Sequence, residues 1–454
     1  MSDLHRTGTS LNAPKSESSR TEPGESKHPD THPPTDTLEA RSLPPKIDSK
    51  ARLTAFVFGL AALALFLFGI QKPGVRNFDE IVYVPSAEAV LDGLNEMDSA
   101  EPPMGKLLLA VGINQAGDSP FGWRVSSAVC GALTLIAVYL WTHLLFGDYR
   151  VSFVAATLTL FNNFLFVMSR TGMMDVFLIF FVFWSLVPYT AALTLDLSTV
   201  RRRILLYISG FLLGLAGACK WNAIDTLAVL LGISFALPWI SKHLPVSPAS
   251  SIARWAENLR RVKAPSLLFG LLILPAVSYA LSFWILFRCI HLPFNIHEFV
   301  SMNHSMWRYH IAATTAKTMV LPWYRWPVAS SPMRNFSYLL GNPVVMWGGA
   351  AAIVFCLWRS WRLQGASESF VALLYASNLL QWVVTPTRVQ LYYYYFPSAM
   401  FLGVALALYS RPRSFLGIRA SLIVVVAAAL VFLWCYPRMA HLDAPWDCAL
   451  GCWP

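Results

Sequence analysis

The stretch that decides the fold is ARLTAFVFGLAALALFLFGIQKPGVRNFDE, Ala51 to Glu80. Residues 53–70 carry no charge and are long enough to span, as a helix, a hydrocarbon layer about 30 Å thick. A turn bearing Pro73 and Gly74 follows, and then two adjacent carboxylates, Asp79 and Glu80. An apolar span that ends on paired acids is the pattern of a membrane helix delivering chemistry to a membrane face.

Ten similar runs follow, at 123–146, 151–168, 174–194, 204–218, 222–240, 265–288, 342–361, 369–385, 391–409 and 420–436. Together they predict an all-α polytopic membrane protein of about eleven transmembrane helices. Continuous apolar runs, rather than alternating ones, exclude a β-barrel. Charged residues are 13% of the 454, about half of what a soluble domain carries. Fifteen of the 60 charged side chains fall within residues 1–50, seven basic and eight acidic. That segment, rich in Ser, Thr and Pro, reads as a disordered cytoplasmic tail, and it lacks the apolar core of a signal peptide. Residues 51–436 then form the membrane domain and 437–454 a short C-terminal segment. No internal repeat is visible. The net charge of +10 is spread between apolar runs, where it sets topology, so nucleic acid is not an expected partner.

With the N-terminus in the cytoplasm, every second loop is basic, as at Arg201–Arg203 and Arg411–Arg419. An odd helix count then places the C-terminus outside. Two long segments, 71–122 and 289–341, fall on the outer side. The first holds eight of the seventeen acidic residues beyond the tail. Such a concentration points to work at the outer face.

Each candidate residue has a plain reading beside a functional one. Asp79 and Glu80 are either a solvated loop or a general base with its neighbour. Glu101 and Lys106 flank a Pro-Pro entry to a helix lying along the membrane surface. Arg124 lies at a helix N-terminus, where the helix dipole disfavours a cation. It is either a snorkelling side chain or, with free backbone N–H groups, an anion site. Arg170, Asp175, Lys220, Asp225 and Arg388 all fall at outer helix ends. Trp221, His310, Trp326 and Tyr394 suit an aromatic interfacial belt equally well. Five cysteines lie in or beside spans as small apolar residues, whereas Cys448 and Cys452 are spaced for a small disulfide loop in an oxidising compartment. No Cys/His spacing resembles a metal site, and no divalent-cation ligand set is legible.

Eight motifs occur in a fixed order: FDE at Phe78–Glu80, PPMGK at Pro102–Lys106, PFGWR at Pro120–Arg124, SRTGMMD at Ser169–Asp175, CKW at Cys219–Trp221, MWRYH at Met306–His310, WYRWP at Trp323–Pro327 and YYYYFP at Tyr392–Pro397. In that order they resemble the protein O-mannosyltransferase family, membrane glycosyltransferases of the GT-C fold. The likeness covers roughly residues 53–436. It departs at Glu101, where the family usually has His. The segment 289–341 is also too short for the lumenal MIR domain of eukaryotic members, so the chain resembles the compact bacterial type.

The resemblance implies transfer of mannose, with inversion, from a polyprenyl-phosphate mannose to Ser or Thr hydroxyls of secreted or membrane proteins, at the outer face of the cell membrane. It implies Asp79 as base, Glu80 as its orienting partner, and Arg124, Lys220, Arg170 and Arg388 around the donor phosphate. Glu101, Lys106, Asp175, Trp221, His310, Trp326 and Tyr394 are further site candidates. No cofactor is implied with certainty. Two alternatives stand beside it: a GT-C transferase acting on a lipid or cell-wall glycan, and a lipid or solute transporter. A transporter would place ionisable residues at mid-membrane and show inverted repeats.

Overall fold

The structure, a computed structural model, describes residues 46–94, 100–248, 250–312, 321–329, 339–363, 365–384, 390–409 and 415–442. The N-terminal tail to residue 45, Arg388, Cys448 and Cys452 lie outside the described residues. With Ala264–Cys289 taken as one helix, sixteen α-helices longer than a single turn occur among the described residues. They are α1 (Ser49–Leu67), α2 (Glu80–Leu91), α3 (Met104–Ala116), α4 (Pro120–Phe146), α5 (Tyr149–Leu160), α6 (Asn163–Met168), α7 (Met174–Thr194) and α8 (Thr199–Gly217). The remainder are α9 (Ala223–His243), α10 (Ser251–Arg260), α11 (Ala264–Cys289), α12 (Ile296–Ala312), α13 (Pro343–Leu363), α14 (Ala366–Val384), α15 (Leu402–Tyr409) and α16 (Phe415–Met439).

Seven of these, α1, α4, α7, α9, α11, α13 and α16, are long and apolar enough to cross a membrane. The sequence predicts eleven. All eleven apolar runs do contain helix, but two are broken. The run 151–168 divides at Phe161-Asn162, where the Asn162 side chain accepts from the Phe164 N–H and starts a new helix. The run 391–409 divides into a 3-10 turn at Tyr392–Tyr395, one helical turn at Phe396–Ala399, and α15. The run 204–218 becomes α8, whose first turns carry Arg201, Arg202 and Arg203. The chain is thus an all-α, multi-pass membrane protein. Leu422, Ile423, Leu433 and Trp434 of α16 are exposed, as lipid-facing side chains are.

The core lies around α4 and α7, whose apolar windows are 72% and 83% buried against 17% for α16. Close helix contact is set by small residues. A Cβ on Gly210 of α8 would lie 1.7 Å from the Gly270 carbonyl oxygen, and one on Gly214 would lie 2.1 Å from that of Pro275. At that crossing α11 loosens into a π-helical turn, Phe269–Ile273.

Local capping fixes the elements that carry the candidate site. Ser119 caps α4 through the Gly122 N–H, Pro120 occupies the first turn, and Gly147 ends the helix in the left-handed conformation. Gly122 has no room for a side chain, since a Cβ would come within 1.9 Å of the Gly117 carbonyl oxygen. Gly122→Ala therefore tilts the start of α4, two residues before Arg124. A fall in thermal midpoint of several degrees, corresponding to about 1–3 kcal/mol of overpacking, checks this in detergent-purified protein.

Candidate active site

The loop after α1 is held by two buried arginines. Arg124 uses every donor of its guanidinium within the protein. Nε and Nη2 bond the two carboxylate oxygens of Glu80, both at 2.7 Å. Nη1 bonds the Ile70 and Pro73 carbonyls at 3.0 and 2.9 Å, and Nη2 also bonds Val75 O at 3.0 Å. Arg170 bonds the carbonyls of Phe66, Phe68 and Gly69 at 2.7, 2.5 and 2.8 Å.

Glu80, fully buried, accepts two more bonds, from the Asn77 and Gly172 N–H groups, each at 2.8 Å. One carboxylate thereby joins the FDE turn, the PFGWR helix start and the SRTGMMD turn. A bidentate buried pair of this kind is a clamp. The donors of Arg124, expected at the phosphate, are all engaged by carbonyls and Glu80, and three of the five donors of Arg170 are engaged by the carbonyls after α1. The Glu80 oxygens thus hold four hydrogen bonds within the protein. The sequence hides this pairing, since the two partners stand 44 positions apart.

Asp79 stands differently. Its side chain is half-buried, and Oδ2 accepts from the Tyr393 hydroxyl at 3.2 Å. Tyr393 is absent from the residues singled out in the sequence, because four consecutive tyrosines read as an interfacial belt.

A second cluster gathers Lys220, Asp175, Glu101 and Lys106, all buried. Lys220 lies in the short connection between α8 and α9, and its Nζ bonds both Asp175 oxygens at 3.0 and 2.8 Å. Glu101 Oε1 is 3.9 Å away. Burial pushes the Lys220 ammonium down, but Asp175 and Glu101 outweigh it and hold it above the usual lysine range. Lys106 Nζ donates to the Glu101 carbonyl at 2.6 Å. The Lys220 ammonium also lies over the rings of Tyr394, at 4.9 Å, and Tyr393, at 5.5 Å. Tyr394 stacks on Trp382, which meets Trp326 edge-on, so Trp326 supports the cluster from behind. Tyr393 thus touches both the Asp79 carboxylate and the Lys220 cation.

Beside this cluster opens a cavity of about 610 Å³, with walls from α8, α9, α11 and α12. Glu101, Trp221, Asn222, Tyr279, Asn303 and His310 line its polar parts. Trp221 donates to the Tyr279 hydroxyl, which donates to Asn303, and His310 packs on the Trp221 ring. Apart from Gln381, which accepts from Asn222, the rest of the lining is apolar, including Leu213, Leu227, Leu272 and Pro275. Such a groove suits a ligand with a long hydrocarbon tail and one charged group. Among the described residues no three His, Cys, Asp or Glu side chains gather as a metal site.

Several known proteins are similar to this chain in sequence or in fold. Among bacterial relatives, the polyprenol-phosphate-mannose–protein mannosyltransferase of Corynebacterium glutamicum is 25% identical over 77% of this chain and 80% of its own. That of Mycolicibacterium smegmatis is 25% identical over 86% and 89%. The fold is shared with the Saccharomyces cerevisiae protein O-mannosyltransferase Pmt1-Pmt2 complex bound to its sugar donor. There the TM-score is 0.73 at 14% identity, over 89% of this chain and 92% of that one. It is also shared with ArnT from Cupriavidus metallidurans bound to undecaprenyl phosphate, at TM-score 0.62 and 15% identity, over 87% and 67%. The profile of the family described as dolichyl-phosphate-mannose-protein mannosyltransferase matches residues 56–291, more than half of the chain. The chain belongs to that family.

Proposed function

We propose that this chain transfers mannose from a polyprenyl-phosphate mannose to Ser or Thr hydroxyls of proteins. The observation that carries the mechanism is one tyrosine, Tyr393, touching both a half-buried carboxylate, Asp79, and a buried cation, Lys220. A Ser or Thr alcohol is a weak nucleophile and needs a base at the reacting hydroxyl, and Asp79 is that base. The leaving group is a lipid phosphate whose charge grows as the sugar bond breaks, and Lys220 faces that charge. The lipid tail runs in the groove lined by Leu213, Leu227 and Leu272. Attack opposite the leaving phosphate inverts the anomeric centre. Glu80, Arg124 and Arg170 hold the FDE turn in place, while Asp175 and Glu101 orient Lys220. Trp221 and His310 line the groove, while Tyr394, Trp326 and Lys106 brace the cluster around Lys220 and Glu101.

In this reading residues 1–50 are a cytoplasmic tail, 51–436 the GT-C catalytic domain, and 437–454 an outer segment. All eleven apolar runs traverse or enter the bilayer. The active face is extracytoplasmic, with outer segments 71–122 and 289–341, and the chain is of the compact bacterial type. A reporter active only in the cytoplasm, fused after Pro454, is then silent; activity there reverses the orientation. Glycan analysis of secreted proteins tests the reaction. Ser- and Thr-linked mannose is present with this chain and absent without it, and mannosylation unchanged by its loss rejects the assignment.

A further inference from the structure

An aspartate at a helix N-cap ordinarily turns its carboxylate back to the amides of the first turn. Asp79 is the N-cap of α2 and makes no such bond. Its carboxylate instead reaches Tyr393, 314 residues along the chain. The preceding residue, Phe78, has φ +50°. An aromatic side chain enters that left-handed region only when its surroundings impose it. Here the Phe78 ring packs against Tyr393 at 5.4 Å, nearly perpendicular. The turn therefore spends a backbone cost to direct both Phe78 and Asp79 at one side chain.

Tyr393 is itself firmly placed. It is 3% exposed. Its neighbour Tyr392 accepts the Gly341 N–H at 3.2 Å, and Tyr395 shares a hydrogen bond with Tyr375 at 2.8 Å. Lys220 lies over its ring.

We propose that Tyr393 is a positioning residue for mannosyl transfer: its hydroxyl fixes the direction and spacing of the Asp79 carboxylate relative to the Lys220 cation. The inference rests on the reading of Asp79 as the base. A carboxylate hydrogen-bonded to a fixed phenol meets the acceptor hydroxyl from one direction. One that has lost this bond is less closely directed, and small misplacements of a reacting group cost up to about 100-fold in rate.

Tyr393→Phe tests this in the full chain, purified in detergent and assayed with labelled polyprenyl-phosphate mannose and a Ser-containing peptide. The ring stays, so its contacts with Phe78 and Lys220 stay. The expected result is a kcat lowered by about 10-fold or more, with donor KM and thermal midpoint unchanged. In an Asp79→Asn background the same substitution lowers the rate no further, because Tyr393 acts only through the carboxylate. Wild-type kcat in Tyr393→Phe overturns the proposal. So does a raised donor KM at unchanged kcat, which assigns Tyr393 to the donor through Lys220, and so do multiplicative losses in the double variant. Full activity in Asp79→Asn alone overturns the base assignment instead, so the two failures are told apart.

Discussion

Asp79→Asn lowers mannosyl transfer by about 100-fold or more, the range for a lost general base, and leaves the folded protein intact. The substitution keeps the size of the side chain and an oxygen that accepts from Tyr393, but removes its basicity. Asp79 is half-buried, and its bond to Tyr393 joins side chain to side chain, so the cost to folding is within about 1 kcal/mol. The measurement is kcat with labelled donor and peptide, beside a thermal melt of the same preparation. An unchanged kcat removes Asp79 from the chemistry.

Arg124→Ala behaves in the opposite way: it unfolds the site before it alters the chemistry. The ion pair with Glu80 is bidentate, and its two side chains are 1% and 0% exposed. Removing one member of such a pair strands the other charge, at a cost of about 3–5 kcal/mol. The carbonyls of Ile70, Pro73 and Val75 lose their donor as well. The expected result is a large drop in thermal midpoint and in yield, with activity lost in proportion to the folded fraction. Arg124→Lys restores part of the stability, since one ammonium replaces the charge but not the planar fork that spans five acceptors. A variant of normal stability with a raised donor KM would return Arg124 to the phosphate.

The contrast between these two variants follows from what a sequence can carry. The helices were legible because each apolar run is a local property; 174–194 coincides with α7. The breaks at Asn162 and Phe396 were not, because the local cap at Asn162 is joined by partners far along the chain. Asn162 Nδ2 meets the Ala399 carbonyl, and Asn163 Nδ2 meets that of Leu340. At the site, the eight motifs named the participants but not their pairing. A cation at a helix start reads as an anion site until Glu80 is seen to fill it. Lys220 and Asp175 stand 45 residues apart and yet form one buried pair. Tyr393 was the residue missed, for within Tyr392–Tyr395 each ring has a different task. Tyr392 holds Gly341, Tyr393 holds Asp79, Tyr394 faces Lys220, and Tyr395 bonds Tyr375.

The placement of the ionisable groups also bears on the transporter alternative. Glu80, Arg124 and Arg170 gather about the loop after α1, and Asp175 and Lys220 about the starts of α7 and α9. Each is engaged in hydrogen bonds or ion pairs within the protein, which suits a preorganised site better than a moving relay.

The decisive assay gives the purified chain labelled polyprenyl-phosphate mannose together with a Ser/Thr-containing peptide. Label is expected on the peptide hydroxyl, with the anomeric configuration inverted from that of the donor. None is expected on the same peptide with every Ser and Thr replaced by Ala, and none with Asp79→Asn beyond about one hundredth of the wild-type rate. Label that enters lipid or glycan but not peptide, or a peptide product that retains the donor configuration, overturns the assignment.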